Sequence, residues 1–319
     1  MVIKSYSTSF GMACRLLGAR DRRDIENIYA LVRVADEVVD GAAAAAGLGT
    51  AGVRAQLDSL EQETEQALES GYSTNMVVHA FASTARRTGM DASLTKPFFA
   101  SMRTDLLQNT HSPDTLAEYI YGSAEVVGLM CLKVFQAMDG APAGHDQQLL
   151  DSARSLGAAF QKVNFLRDLG ADSAELGRQY FPGLDPAAFS DRHKDMLLAE
   201  IRHDLAVARA GMAFLAPPAR RAVRLAHDLF LALVAKLARV PAAELANQRV
   251  RIPGWQKTLI VVKVCLSGRG AGRKDSAPEP PSPQIPALTA SDSRVTDIKE
   301  PDSTGAPLCA SETTVEVSS

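Results

Sequence analysis

The chain has 319 residues, 46% hydrophobic and 22% charged, with a formal net charge of −3 at pH 7. That balance belongs to a globular protein able to bury a large core, and the slight acidity excludes a nucleic-acid binder that works through a basic surface. Four cysteines (Cys14, Cys131, Cys265, Cys309) and six histidines stand far apart, with no Cys-x-x-Cys and no His pair at ligand spacing. This excludes zinc knuckles and thioredoxin-type motifs and fits a reducing, cytoplasmic compartment.

The opening segment MVIKSYSTSFGMACRLL has a broken apolar stretch and no small-residue cleavage site, so no signal peptide is expected. No apolar run is long enough to span a bilayer. Ser7 or Ser9 starts a first helix that runs to about Leu17, and a second runs from a cap at Asp21 to Gly41. The alanine run between Gly41 and Gly47 is expected to be a mobile connector. Helices follow over 51–69, 74–88, 93–108, 114–138, 146–170, 191–215, 219–239 and 255–266. Gly71, Gly89, Pro113, the segment from Gly140 to Gly144, Pro182, Pro217-Pro218 and Pro241 separate them. Helices 116–138 and 222–240 are apolar on most faces and should be central. Residues 268–319 hold 7 of the 16 prolines and no aromatic residue. Such a segment cannot bury enough apolar surface to offset its ordering entropy, so it reads as a disordered tail. Its start, Gly268 to Lys274, imitates a glycine-rich nucleotide loop, but no strand precedes it and no helix follows. The expectation is an all-α domain over 1–267 and a tail over 268–319.

Two helices carry a polar row where an apolar stripe would be ordinary. Tyr29, Arg33, Asp36 and Asp40 follow spacings of 4, 3 and 4, and Gln161, Asn164, Asp168 and Asp172 follow 3, 4 and 4. Each set shares one helix face among apolar neighbours and ends in an Asp-x-x-x-Asp pair. Carboxylates one turn apart repel unless something lies between them. A hard divalent cation such as magnesium fits, usually completed by substrate phosphates. The plainer alternative is a solvated aspartate pair on an exposed face.

These segments resemble the squalene/phytoene synthase family. Ser7-Thr-Ser-Phe10 and Tyr29 to Asp40 are similar to its opening and first Asp-rich motif. Gln161 to Asp172, followed by Gly177-Arg-Gln-Tyr-Phe-Pro182, is similar to the second motif. Tyr119 to Gly128 resembles the helix between them, and Arg249-Val-Arg-Ile-Pro253 the closing segment. Ser-Ala-Glu at 123–125 departs from the family's common Val-Ala-Gly. The resemblance implies a single-domain isoprenoid-synthase-type helical bundle with a central active-site cavity. It implies magnesium (with manganese as substitute) on Asp36, Asp40, Asp168 and Asp172, and diphosphate contact by Ser7, Ser9, Arg33 and Arg167. Tyr29, Arg33, Tyr119, Gln161 and Asn164 would line the reacting centre. The implied reaction is head-to-head condensation of two prenyl diphosphates through a cyclopropylcarbinyl diphosphate. The product is phytoene from geranylgeranyl diphosphate, or squalene or dehydrosqualene from farnesyl diphosphate. No nicotinamide-binding motif is present, so NADPH is not expected. A non-catalytic assembly factor of the same fold would be expected to have lost the aspartates. Carotenoid enzymes acting on the product are candidate partners. Residues 255–274, apolar then basic, read either as a core helix or as peripheral contact with the inner face of the membrane.

Overall fold

A computed structural model describes residues 8–39, 41–107, 110–176, 189–245 and 253–267, all within one unit, Met1–Asp275. Ser7, Asp40, the 177–182 block, residues 249–252 and the 268–319 tail lie outside the described residues, as do the side chains of Ser9 and Asp172.

Every regular element among the described residues is helical, as expected. In chain order these are α1 (Thr8–Cys14), α2 (Ala19–Val39), α3 (Ala42–Ala45), α4 (Thr50–Ser70), α5 (Met76–Thr88), α6 (Ala92–Leu107) and α7 (Pro113–Ile120). A π-turn (Tyr121–Glu125) leads into α8 (Val126–Gln136). Then come α9 (Asp146–Leu176), α10 (Asp191–Gly211), a short 3-10 turn (Met212–Phe214), α11 (Pro217–Leu237), α12 (Ala242–Leu245) and α13 (Gly254–Ser267).

Local chemistry sets several boundaries. Asn75 accepts from the amides of Val77 and Val78 and starts α5. Ser112 with Thr115, and Ser190 with His193, form reciprocal caps that start α7 and α10. Gly71 and Gly89 end α4 and α5 at φ 79° and 69°, in the left-handed region that costs glycine little. Four expectations need correction. The alanine run is not a plain connector: Ala42–Ala45 closes a helical turn, in line with alanine's high helix propensity. Helix α2 begins at Ala19, with Asp21 in its first turn rather than at the cap. Helix α11 begins at Pro217, because a missing amide costs nothing in a first turn. The predicted helix 114–138 is not continuous; the π-turn breaks its period.

The largest core cluster joins α2, α4, α5, α6 and α8 through Ile28, Leu31, Leu57, Phe81, Phe98, Phe99 and Met130. A second joins α9, α10 and α11 through Val163, Leu166, Leu198, Ile201, Leu205 and Leu237. Polar ties fix how the helices sit. Buried Asp24 of α2 accepts from Thr84 of α5 at 2.9 Å and pairs with Arg87. Buried His227 of α11 bonds the Leu205 carbonyl of α10 through Nε2 at 3.0 Å. Helix α13 buries Val264 against Leu225, Ala226 and Leu229 of α11, with Ile260 and Val261 packed on the same cluster. Leu259 and Val262 are left exposed.

Candidate active site

Between α1, α2, the π-turn, α8, α9 and α11 lies an apolar cavity of about 340 Å³. Helix α2 gives it Ile25, Tyr29 and Val32; α8 gives Val127, Cys131 and Phe135; α9 gives Leu156, Phe160 and Asn164; α11 gives Ala222, Ala226 and Phe230. Phe160 and Phe230 stack with ring centroids 3.7 Å apart, joining two walls.

Glycine allows the wall between the π-turn, α8 and α9 to close. A Cβ on Gly157 would lie 2.5 Å from the Ala124 carbonyl oxygen, and one on Gly128 would lie 2.4 Å from that of Ala153. At these distances any side chain would force the helices apart. Gly122 presses on α6 in the same way: its Cβ would meet the Pro97 carbonyl at 2.3 Å. Ser101 of α6 donates to the Tyr119 carbonyl at 3.2 Å, where the helical ladder changes step. The π-turn thus sits in a slot between α6 and α9.

The polar rows of α2 and α9 run off the cavity walls. Asp36 is four residues beyond the lining residue Val32, and Asp168 is four beyond the lining residue Asn164. Each carboxylate therefore stands on its lining residue's face, about 6 Å further along the helix axis. Arg33 donates to Asp36 at 2.7 Å and pairs with Glu37. Burial acts to lower the Arg33 pKa, but the bond to Glu37 and the charges of Asp36 and Glu37 outweigh it and hold the guanidinium above its ordinary value. Arg167 grips Asp168 with both nitrogens of its fork, Nε at 2.9 Å from Oδ1. The Asp168 side chain is 17% exposed and that of Asp36 38%, so Asp168 is the more enclosed carboxylate.

Tyr29 and Asn164 are brought together on one cavity. Two other residues of the expected set lie elsewhere. Gln161 is half-buried and not among the lining residues. Tyr119 stacks on Phe165 at 6.0 Å, donates its hydroxyl to Asp105 at 3.0 Å, and packs in the cluster with Ile120 and Leu169. Sequence reasoning missed Cys14, Cys131, Ser123 and Phe160 as lining residues. Cys14 and Cys131 converge from 117 positions apart in the chain, which no local pattern reveals. Burial pushes both thiols up to about 12.

A wider groove of about 830 Å³ borders a different face of α9, lined by Leu116, Tyr121, Glu125, Arg154, Lys162 and Asp204 among others. Its charges largely satisfy one another: Glu125 pairs with Arg154 at 2.7 Å and Lys162 with Asp204 at 2.9 Å. The smaller cavity, with polar rows leading from an apolar interior, is the better candidate for chemistry on an amphipathic substrate.

Among the described residues no three or more His, Cys, Asp or Glu side chains gather as a metal site. The donors that are described, Asp36 and Asp168, are carboxylates, and that chemistry suits a hard divalent cation.

The helices and cavity define an isoprenoid-synthase fold. A crystal structure of a dehydrosqualene synthase superposes with a TM-score of 0.68 at 21% identity, covering 84% of this chain and 94% of that one. The model of the squalene/phytoene synthase family matches residues 3–256. The chain belongs to that family, whose members are prenyltransferases. Among curated relatives, the phytoene synthase of Arthrospira platensis is 29% identical over 84% of this chain and 91% of its own length. The 15-cis-phytoene synthase of Pantoea ananas is 29% identical over 74% of this chain and 72% of its own length.

Proposed function

We propose that this chain joins two molecules of geranylgeranyl diphosphate head to head to give phytoene, through a cyclopropylcarbinyl diphosphate. The observation that carries the reading is the apolar cavity with Tyr29 and Asn164 in its wall and Asp36 and Asp168 one turn beyond. Such a site takes a hydrocarbon chain inside and leaves its diphosphate among the polar rows. The curated relatives are phytoene synthases, which supports geranylgeranyl diphosphate over farnesyl diphosphate.

Asp36, Asp40, Asp168 and Asp172 would hold magnesium or manganese, which neutralises the departing diphosphate when bound there. Arg33 and Arg167 hold Asp36 and Asp168 in place through hydrogen bonds. Along with Ser7 and Ser9, both arginines are the proposed diphosphate contacts. Tyr29 and Asn164 face the reacting carbons as hydrogen-bonding groups. Apolar walls such as Phe160 and Phe230 exclude water from the allylic cation left when the carbon–oxygen bond breaks. Gln161 and Tyr119 take a supporting place in this reading, the first beside the polar row of α9 and the second by anchoring Asp105. The catalytic domain is 1–267, with 268–319 outside it. No described helix is long and apolar enough to cross a membrane. The exposed Leu259 and Val262 of α13 suit peripheral membrane contact, through which a water-insoluble product would leave.

Substrate choice tests this reading. Equimolar geranylgeranyl and farnesyl diphosphates are offered together to the purified chain, without NADPH, and the hydrocarbons are separated by mass. Phytoene in excess is expected. Dehydrosqualene or squalene in excess would move the protein to the farnesyl branch of the same family.

A further inference from the structure

One stripe of α8 stays open to the cavity. Val126, Met130 and Val134 are at most 1% exposed, packed in the core shared with α2, α5 and α6. The next stripe, Val127, Cys131 and Phe135, keeps the same spacing of four but is half-buried, and all three residues line the cavity. Helix α8 is packed by α2, α5, α6 and α9, so the surface this stripe leaves uncovered faces the cavity.

Depth along the stripe follows from how α8 lies on α9. Ala124 sits against Gly157 and Gly128 against Ala153, and Gln136 donates to Asp146 at 3.1 Å, so the two segments run antiparallel. Asn164, which belongs to the polar row of α9, therefore stands at one end of the cavity and Phe135 at the other. There Phe135 packs in the cluster of Leu132, Leu149 and Leu215, and these four lining residues close the apolar end.

The length between the two ends suits one class of chain. From Asn164 to Leu149 the lining of α9 covers 15 residues, about 22 Å of helix axis. At about 1.2 Å per bond of extended chain, four isoprene units reach about 19 Å and five reach about 24 Å. The first fits above Phe135 and the second does not. Each step along the stripe is four residues, about 6 Å, which is near the length one isoprene unit adds, about 5 Å.

We propose that Phe135 is a specificity-determining residue whose ring forms the floor on which a fourth isoprene unit ends, with Cys131 marking the level one unit shallower. This deepens the proposed function and rests on it. The role is steric, and no bond forms or breaks at Phe135. A chain too long for the floor is held with its carbon–oxygen bond out of reach of the polar rows, and misplacement of a reacting bond lowers kcat/KM.

The test offers equimolar farnesyl, geranylgeranyl and geranylfarnesyl diphosphates to wild type, Phe135→Ala, Phe135→Leu and Cys131→Phe. The share of each chain built into hydrocarbon, crossed products included, is read by mass, and folding is checked by thermal melting. In Phe135→Ala the geranylfarnesyl share is expected to rise about 10-fold or more, the discrimination that even one methylene gives in an apolar pocket. Phe135→Leu, the milder change for the fold, should move the share in the same direction. Cys131→Phe raises the floor by one turn and should favour farnesyl over geranylgeranyl diphosphate. Folded Phe135 variants with wild-type shares would overturn the inference, and so would a Cys131→Phe variant that keeps the wild-type preference. A wild type that favours farnesyl diphosphate would overturn the geranylgeranyl reading, while a shift to longer chains in Phe135→Ala would still support Phe135 as the floor. A wild type that makes no hydrocarbon from any of the three would overturn the proposed function, and this inference with it.

Discussion

Glu125 of the π-turn accepts a hydrogen bond from Arg154 of α9 at 2.7 Å, and so joins the two segments that form one cavity wall. The bond to Glu125 holds the Arg154 pKa above its ordinary value. Arg154 is half exposed and Glu125 mostly covered. Removing the acceptor with Glu125→Ala is therefore expected to cost no more than about 1 kcal/mol, as for other solvent-screened pairs. Chemical denaturation should show that small loss. A loss several times larger would mean that the turn depends on this pair far more than its exposure suggests.

Gly157→Ala is expected to destabilise, although alanine is the better helix former by about 1 kcal/mol. The added methyl would stand 2.5 Å from the Ala124 carbonyl oxygen, and backbone cannot yield as a flexible side chain can. Overpacking of this kind costs about 1–3 kcal/mol. Urea unfolding of the full chain checks the sign: a variant at least as stable as wild type would contradict the close packing of the π-turn on α9.

The thiols of Cys14 and Cys131 give the cavity wall a pH signature. Burial raises each from 9.0 to about 12. The folded state then keeps protons that the unfolded state releases above pH 9, so unfolding is favoured as pH climbs. Stability from these two groups is fully present below about pH 9 and declines between there and about pH 12. Cys14→Ala should flatten the fall in melting temperature across pH 9 to 10.5 relative to wild type. Equal slopes would show that the thiol does not titrate differently on folding.

Much of the fold could be read from the chain because helices announce themselves through period and punctuation. Gly71 and Gly89 mark real ends, and the apolar segments near 116–138 and 222–240 do line the interior. Of the expected site, Tyr29 and Asn164 reach one cavity because α2 and α9 keep a regular period over those stretches. Tyr119 and Ser123 were harder to place. A π-turn spends an extra residue, so positions on either side no longer share the face that a period of 3.6 assigns. The contacts that flank it, the Gly122–Pro97 approach and the Ser101 bond to Tyr119, come from a helix 25 and 18 residues earlier in the chain and leave no local trace. The meeting of Cys14 with Cys131 is hidden for the same reason.

On the proposed function, carboxylates on α2 and α9 act together on a prenyl diphosphate held in the cavity between them. The direct measurement is hydrocarbon and diphosphate release from geranylgeranyl diphosphate with magnesium, in wild type, Asp36→Asn and Asp168→Asn. Each substitution keeps size and removes charge. Phytoene and diphosphate are expected from wild type, and losses of about 100-fold or more in kcat in both variants, the scale for a preorganised electrostatic contact, with folding intact by circular dichroism. Full activity in either variant would contradict the proposed function.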